Sequence, residues 1–255
     1  MFAIRRRPNS LTMDDNRLDD LVNILLKGAT AFAKEEDRPL VTISYAQSLD
    51  GSIALKRGQA TAISGAESLK MTHRLRAAHD AILVGIGTVQ ADDPQLTVRE
   101  VEGKNPQVVV LDSKLRFPLN ARLLDLEKAP WIFCTQSADD EAQLALEKAG
   151  ARVFRIGSQS GERVSLPAVA KKLGDMKIAS LMVEGGASVI ASFLESGLAD
   201  QVAITIAPIF IGGFNVIGSP IKTLDGVHFP RVTNPQIERL GDDYVLWGKM
   251  GRSGE

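Results

Sequence analysis

Apolar runs of four to eight residues alternate with amphipathic stretches along most of the chain, and each kind predicts a different element. Asp14 to Lys34 places Leu18, Leu21, Val22, Leu25 and Leu26 at helical spacing before the acidic run Glu35, Glu36 and Asp37, predicting one appended helix. Pro39 to Ala46 predicts the first core strand, with Val41, Ile43 and Tyr45 on one face and Thr42 and Ser44 on the other. Gln47 to Gly51 interrupts it, and Ser52 to Leu55 continues extended. Ser64 is placed to cap a helix running through His79, with Glu67 closing a capping box and Leu69, Thr72, Leu75 and Ala78 as its buried stripe. Ala81 to Val84 reads as a buried strand that breaks at Gly85-Ile86-Gly87-Thr88, with Thr88 as a candidate helix cap and Leu96 to Arg99 extended beyond it.

Farther along, the apolar runs Val108–Leu111, Trp131–Thr135, Arg152–Ile156, Ile178–Val183 and Asp200–Ala207 predict strands. Helical stretches over Asp139–Ala149, Leu166–Leu173 and Val189–Ser196 separate several of them. This alternation predicts an α/β fold, a mostly parallel central sheet with flanking helices. Phe214 to Pro235 is irregular, and Gln236–Leu240 with Tyr244–Met250 predicts a closing antiparallel hairpin around Gly241, Asp242 and Asp243. With no strong linker, the expected organisation is one main domain over residues 39–251 and an N-terminal extension over 1–38 carrying one amphipathic helix. The first dozen residues are polar and basic and are expected to be mobile.

Composition narrows the function classes. The 255 residues carry a formal charge of −1, so there is no general attraction to nucleic acid. No apolar run is long enough for a membrane span, and Arg5-Arg6-Arg7 is followed by no apolar signal core. One cysteine, Cys134, rules out internal disulfides and a cysteine metal site and fits a reducing cytoplasm. Three scattered histidines argue against a histidine-rich metal site.

Candidate chemistry concentrates at strand ends. From Asp80 to Arg99 a strand, a glycine turn, a hydroxyl, the carboxylates Asp92 and Asp93 and an arginine fall within twenty residues. One wall of a site for a phosphorylated ligand fits this, and so does a strand-to-helix turn with a solvated acidic corner. Glu184-Gly185-Gly186-Ala187-Ser188 is a second small-residue turn before a helix whose first N–H groups it would expose. Neither turn is a G-x-G-x-x-G fingerprint or a Walker loop, yet Gly85, Gly87, Gly185 and Gly186 at two strand ends point to a dinucleotide. Asp112-Ser113-Lys114-Leu115-Arg116 ends a strand with a hydroxyl and two cations, which suits a 2′-phosphate or plain solvated charge. Asp50-Gly51 breaks the first strand, either as a turn or as a charge at the mouth of the sheet. His73 and Arg76 lie three apart on the predicted helix, where His73 reads as a surface or capping residue. Arg76 would complement the helix dipole or hold an anion. Glu184 at a strand terminus favours a ligand contact, since an unpartnered buried carboxylate is costly.

Several ordered motifs together resemble the pyrimidine reductases of riboflavin biosynthesis, a family that includes the reductase half of a bacterial bifunctional deaminase-reductase and standalone archaeal and fungal enzymes. They are SLDG (Ser48–Gly51), ISG (Ile63–Gly65), LRAAHDAILVGIGTVQADDPQLTVR (Leu75–Arg99), VLDSKLRFPLNARLL (Val110–Leu124), VEGGAS (Val183–Ser188) and IAPIFIGG (Ile206–Gly213). The resemblance runs from about Pro39 to Met250. It implies a dihydrofolate-reductase-like fold, NADPH as cofactor and a homodimer. It also implies reduction of the ribosylamino group of a pyrimidinone 5′-phosphate to ribitylamino. Carried onto matching positions, it places Ala46, Ala62, Thr88, Asp92, Ser113 and the turn Gly186, Ala187 and Ser188 against the nicotinamide nucleotide. Arg76, Leu96, Arg99 and Glu184 fall against the substrate. No H-x-E with P-C-x-x-C signature is present, so no deaminase activity is expected. YAQSLD (Tyr45–Asp50) is similar to the fungal form and DSKLRFPLNAR (Asp112–Arg122) to the archaeal one, which implies the 2,5-diamino pyrimidine as substrate.

The expected chemistry is opening of the furanose to an imine and hydride delivery to its C1′. Arg76 or Arg99 would clamp the 5′-phosphate, Glu184 would fix the pyrimidine or sugar, and Asp50 would assist ring opening or protonation. The rival readings are reduction of the deaminated pyrimidine, a pterin or dihydrofolate reductase of the same fold, and a nucleotide-binding regulatory subunit without catalysis.

Overall fold

The apolar runs pair into a sheet whose two faces are both covered. The computed structural model describes residues 15–59, 61–157, 162–218, 220, 221 and 229–251. In chain order it has α1 (Asp15–Leu26), α2 (Ala29–Glu35), β1 (Leu40–Ser48), β2 (Ser52–Ala54), α3 (Ala66–Ala78), β3 (Ala81–Gly85) and α4 (Ile86–Asp92). There follow β4 (Gln107–Leu111), β5 (Trp131–Thr135), α5 (Asp140–Lys148), β6 (Arg152–Ile156), α6 (Leu166–Asp175) and β7 (Ser180–Gly185). The last elements are α7 (Ala187–Glu195), β8 (Gln201–Ala207), β9 (Phe214–Asn215), β10 (Val232–Leu240) and β11 (Asp243–Met250).

Among the described residues the main sheet has nine strands in the order β10-β11-β8-β1-β7-β3-β4-β5-β6. The strands from β8 to β6 run parallel to one another, and β11 pairs antiparallel with β8 and β10. A mostly parallel sheet closed by an antiparallel pair is therefore the architecture observed, as expected. β3 shows why its residues are apolar throughout. Ile82 and Val84 join Leu21, Met71, Leu75 and Cys134 in one core layer, while Ala81 and Leu83 join Val41, Leu173 and Phe193 in the other.

Several element boundaries differ from the sequence-based expectation, each for a local reason. The single helix expected over Asp14–Lys34 is two, because Gly28 takes a left-handed conformation (φ +85°) that an L side chain disfavours. β1 runs two residues beyond Ala46, through Ser48. α3 begins at Ala66 with Gly65 at its cap, so Ser64 does not cap it. The partner comes instead from β11: the Asp243 carboxylate accepts the Gly65 N–H and the Ser68 hydroxyl, both at 2.7 Å. The buried stripe of α3 is Ser68, Met71 and Leu75 with His73 and Arg76, whereas Leu69 is exposed. His73 is thus a core residue, correcting its reading as a surface position. α4 starts at Ile86 behind Gly85, which places Thr88 inside the helix. β7 and α7 sit nearer the second glycine turn than expected, so Glu184 and Gly185 end the strand and Ala187 and Ser188 open the helix. β10 is longer than predicted because an irregularity between Thr233 and Gln236, with Asn234 at φ +47°, carries Pro235 past the ladder. Arg5 to Arg7, Ala60 and part of the irregular Phe214–Pro235 stretch lie outside the described residues.

Candidate active site

β7 comes late in the chain but inserts between β1 and β3, and their carboxyl ends share one edge of the sheet. Such a break in strand order is where open α/β sheets leave a crevice. It brings the two glycine turns side by side. A Cβ on Gly185 would lie 3.1 Å from the Thr88 Oγ1, and one on Gly186 (φ +88°) 3.6 Å from it. A Cβ on Gly85 would come within 2.8 Å of the Val189 side chain. Gly185 and Gly186 let the turns interlock through Thr88, and Gly85 through Val189. Gly87 differs: it is exposed and a Cβ there would meet nothing within 4 Å, so the backbone of α4 borders open space. Ala187 and exposed Ser188 open the first turn of α7 beside it. Small side chains, an open approach to backbone and a helix N-terminus suit the phosphates of a nucleotide. The residues present therefore fit a dinucleotide.

A charged cluster adjoins this edge. The Arg76 Nε donates to Glu184 Oε2 at 2.7 Å and its Nη2 to Oε1, a bidentate pair between α3 and the end of β7. The Arg76 Nη1 also donates to the carbonyl of Thr97 at 3.1 Å. Arg76 is thereby committed to protein groups. Arg99 is less committed: its side chain is 48% exposed and, among the described residues, its ion-pair partner is Glu100 at 3.9 Å. The Arg99 backbone N–H donates to His73 Nδ1 at 3.1 Å. Burial and the two guanidinium charges push the His73 imidazole down to about 4, so it is neutral near pH 7. Between these contacts, buried Leu96 holds φ +53°, a left-handed conformation rare for a non-glycine residue and found at constrained sites.

Asp50 sits across the mouth, after β1. Its carboxylate accepts the Ser48 hydroxyl at 2.5 Å, the Ser52 hydroxyl at 3.0 Å, and the N–H groups of Ile211 at 3.1 Å and Gly212 at 2.7 Å. These donors hold it well below the ordinary carboxylate range. At the far side, β4 leads into Asp112 and Ser113. Asp112 is buried and its carboxyl is raised by that burial, partly offset by Arg116 at 3.8 Å. The Ser113 hydroxyl accepts the Val164 N–H at 3.2 Å, and its carbonyl accepts Thr135 Oγ1 at 2.9 Å. Lys114, Thr135, Ser137 and Asp139 line a cleft of about 260 Å³ next to it. Ala46 is half-buried on β1, while Ala62 and Asp92 are exposed. Among the described residues, no side-chain hydrogen bond or ion pair ties those three to the cluster. Sequence reasoning missed the roles of His73, Thr97 and Asp243; only the 73/76 spacing on one helix carried a signal for any of them.

Residues 39–246 match the family described as the RibD C-terminal domain, and the chain belongs to that family. Within it, the chain is similar to the 2,5-diamino-6-ribosylamino-4(3H)-pyrimidinone 5′-phosphate reductase of Archaeoglobus fulgidus: 39% identical over 226 residues, covering 84% of this chain and 100% of that protein. It is similar also to the riboflavin biosynthesis protein RibD of Aquifex aeolicus, 37% identical over 216 residues and 84% of this chain, but it spans only 58% of that relative. Among solved structures, the Saccharomyces riboflavin biosynthesis reductase Rib7 matches with a TM-score of 0.70 at 27% identity, over 90% of this chain and 99% of that one. α1 and α2 precede the matched stretch. No helix among the described residues is long and apolar enough to cross a membrane.

Proposed function

We propose that this chain uses NADPH to reduce the ribosylamino group of 2,5-diamino-6-ribosylamino-4(3H)-pyrimidinone 5′-phosphate to ribitylamino. The observation that carries this reading is one sheet edge where two interlocked glycine turns adjoin an arginine–carboxylate cluster, in a chain aligned with the whole length of an archaeal reductase of that name. Gly87, Thr88, Gly186, Ala187 and Ser188 would hold the nicotinamide nucleotide, with Ala46, Ala62 and Asp92 at its margins. When bound, the reduced coenzyme supplies the hydride.

The chain's own residues bind and orient. Arg99, the less committed guanidinium, takes the 5′-phosphate, and Leu96 beside it shapes the sugar site. Glu184, held rigid by Arg76, accepts hydrogen bonds from the pyrimidine or sugar. Asp50, ionised and saturated with donors, orders the loop at 209–213 and is a positioning residue, not the proton carrier expected from sequence. Lys114 beside Ser113 supports the 2′-phosphate of NADPH, which NADH lacks.

The same reading takes the body as residues 39–251 with an extension before it, and the compartment as cytoplasm, where the buried Cys134 stays a thiol. Exposed Leu49, Ile209 and Phe210, drawn together by the bond from Leu49 N–H to the Ile209 carbonyl at 2.9 Å, form an apolar patch that supports a homodimer. Light scattering at twice 27.5 kDa would read that dimer.

NADPH consumption with each pyrimidine phosphate tests the function. Turnover with the diamino compound is the expected result. Preference for the deaminated compound would move the chain to the later step. Turnover of dihydrofolate alone, or coenzyme binding with no turnover, would contradict the proposal.

A further inference from the structure

The segment from Leu96 to Arg99 lies in no strand, and both of its end residues are proposed substrate contacts. Its backbone is held from α3. The Arg76 Nη1 donates to the Thr97 carbonyl, and one helical turn earlier the His73 Nδ1 accepts the Arg99 N–H, both at 3.1 Å. Because Nδ1 is the acceptor, this bond assigns the ring proton to Nε2. The His73 Nε2 is itself buried and has no hydrogen-bond partner among the described residues. An unpaired buried donor is a liability that an apolar side chain of the same size would avoid. What the imidazole provides, and a leucine would not, is the acceptor at Nδ1.

We propose that His73 is a positioning residue: by accepting the Arg99 N–H it sets the main chain from which the Arg99 guanidinium reaches the substrate phosphate. The inference rests on the proposed function for the identity of that phosphate. His73 touches neither substrate nor coenzyme in this role. Arg76 is less available for this than Arg99, because three of its five N–H donors already go to Glu184 and Thr97. Among the described residues the Arg99 side chain has only Glu100, at 3.9 Å, as an ion-pair partner, so its reach depends on where its backbone stands. Misplacing that backbone should weaken recognition of the phosphate and leave the coenzyme site, across on α4 and α7, unchanged.

Three variants of the full chain separate this role from packing. His73→Asn keeps a carbonyl oxygen close to the place of Nδ1, His73→Gln moves it out to the place of Nε2, and His73→Leu removes it. The readouts are KM for the pyrimidine phosphate, KM for NADPH, kcat, and the calorimetric dissociation constant of ribose 5-phosphate. His73→Leu and His73→Gln should raise the substrate KM and the ribose 5-phosphate dissociation constant about tenfold, with kcat and the NADPH KM within about twofold. His73→Asn should recover most of that loss. If His73→Leu does not fold, the Asn and Gln pair decides the matter alone. Equal values for Asn and Gln would overturn the proposal, as would a loss confined to kcat or a wild type that does not bind ribose 5-phosphate. A wild type that binds ribose 5-phosphate but turns over neither pyrimidine would overturn the proposed function, and the variants' dissociation constants would still judge His73.

Discussion

Arg76 and Glu184 each looked from the sequence like a group in want of an anion or a ligand, and the structure shows that much of what each lacked is the other. Their side chains are 8% and 19% exposed, so removing one charge strands its partner in a poorly hydrated place. Arg76→Met should therefore cost roughly 3 kcal/mol of stability, read from the urea unfolding midpoint, together with a large loss of turnover. An unchanged midpoint would show that the pair contributes little to the fold. The types of these residues were legible because an arginine on a helix face and a carboxylate at a strand end are conspicuous. Their pairing was not, because the two lie 108 positions apart. Asp50 teaches the same lesson: its place at a strand break could be read, but two of its four donors come from the backbone of Ile211 and Gly212.

At the level of elements, strands were easier to read than helix ends. An apolar run such as Ala81–Val84 is dictated by burial on both faces, and that signal is local. The start of α3 is set by Asp243 from a hairpin at the other end of the chain, and nothing near Ser64 reveals it. The phase of α3 was misread for a related reason. Met71 and Leu75 lie in the core layer that α1 shares with the sheet, while His73 meets the Arg99 backbone and Arg76 meets Glu184. α1 itself was recognised by its leucines, and these four apolar residues, Leu18, Leu21, Val22 and Leu25, lie in the main core layer although they precede the family's matched stretch. Leu21→Ala should accordingly cost about 3 kcal/mol, as for any large core side chain. A cost below about 0.5 kcal/mol in chemical denaturation would mean that the extension is only loosely attached.

Over the whole molecule, the strand order places chemistry and stability in different parts of one sheet. The carboxyl edge of β1, β7, β3 and β4 carries the candidate site, while a buried polar network ties β1 to α3 and β8. In that network the Thr42 hydroxyl meets His79 Nε2 and Gln201 Nε2, both at 2.8 Å, and His79 Nδ1 faces the Leu75 carbonyl at 2.7 Å. Burial drives the His79 imidazole down to about 4. Its ordinary value in an unfolded chain is 6.5, so above that pH both states are neutral and stability is full. As pH falls from 6.5 toward 4 the unfolded chain takes up a proton that the native state refuses, removing about 3 kcal/mol. Urea midpoints at pH 7 and pH 4.5 should show that decline, with His73 acting in the same direction. Equal midpoints would indicate that His79 finds a proton acceptor in the native state. The topology that brings β7 between β1 and β3 could not be read from the order of elements alone. It is also what places the two glycine turns and the Arg76–Glu184 pair at one edge, and a crystal of the chain with NADPH and ribose 5-phosphate is the decisive measurement of the proposed site. The dinucleotide is expected against Gly87, Thr88 and the Gly186–Ser188 turn, with the sugar phosphate on Arg99. A coenzyme bound elsewhere, with both glycine corners empty, would contradict it.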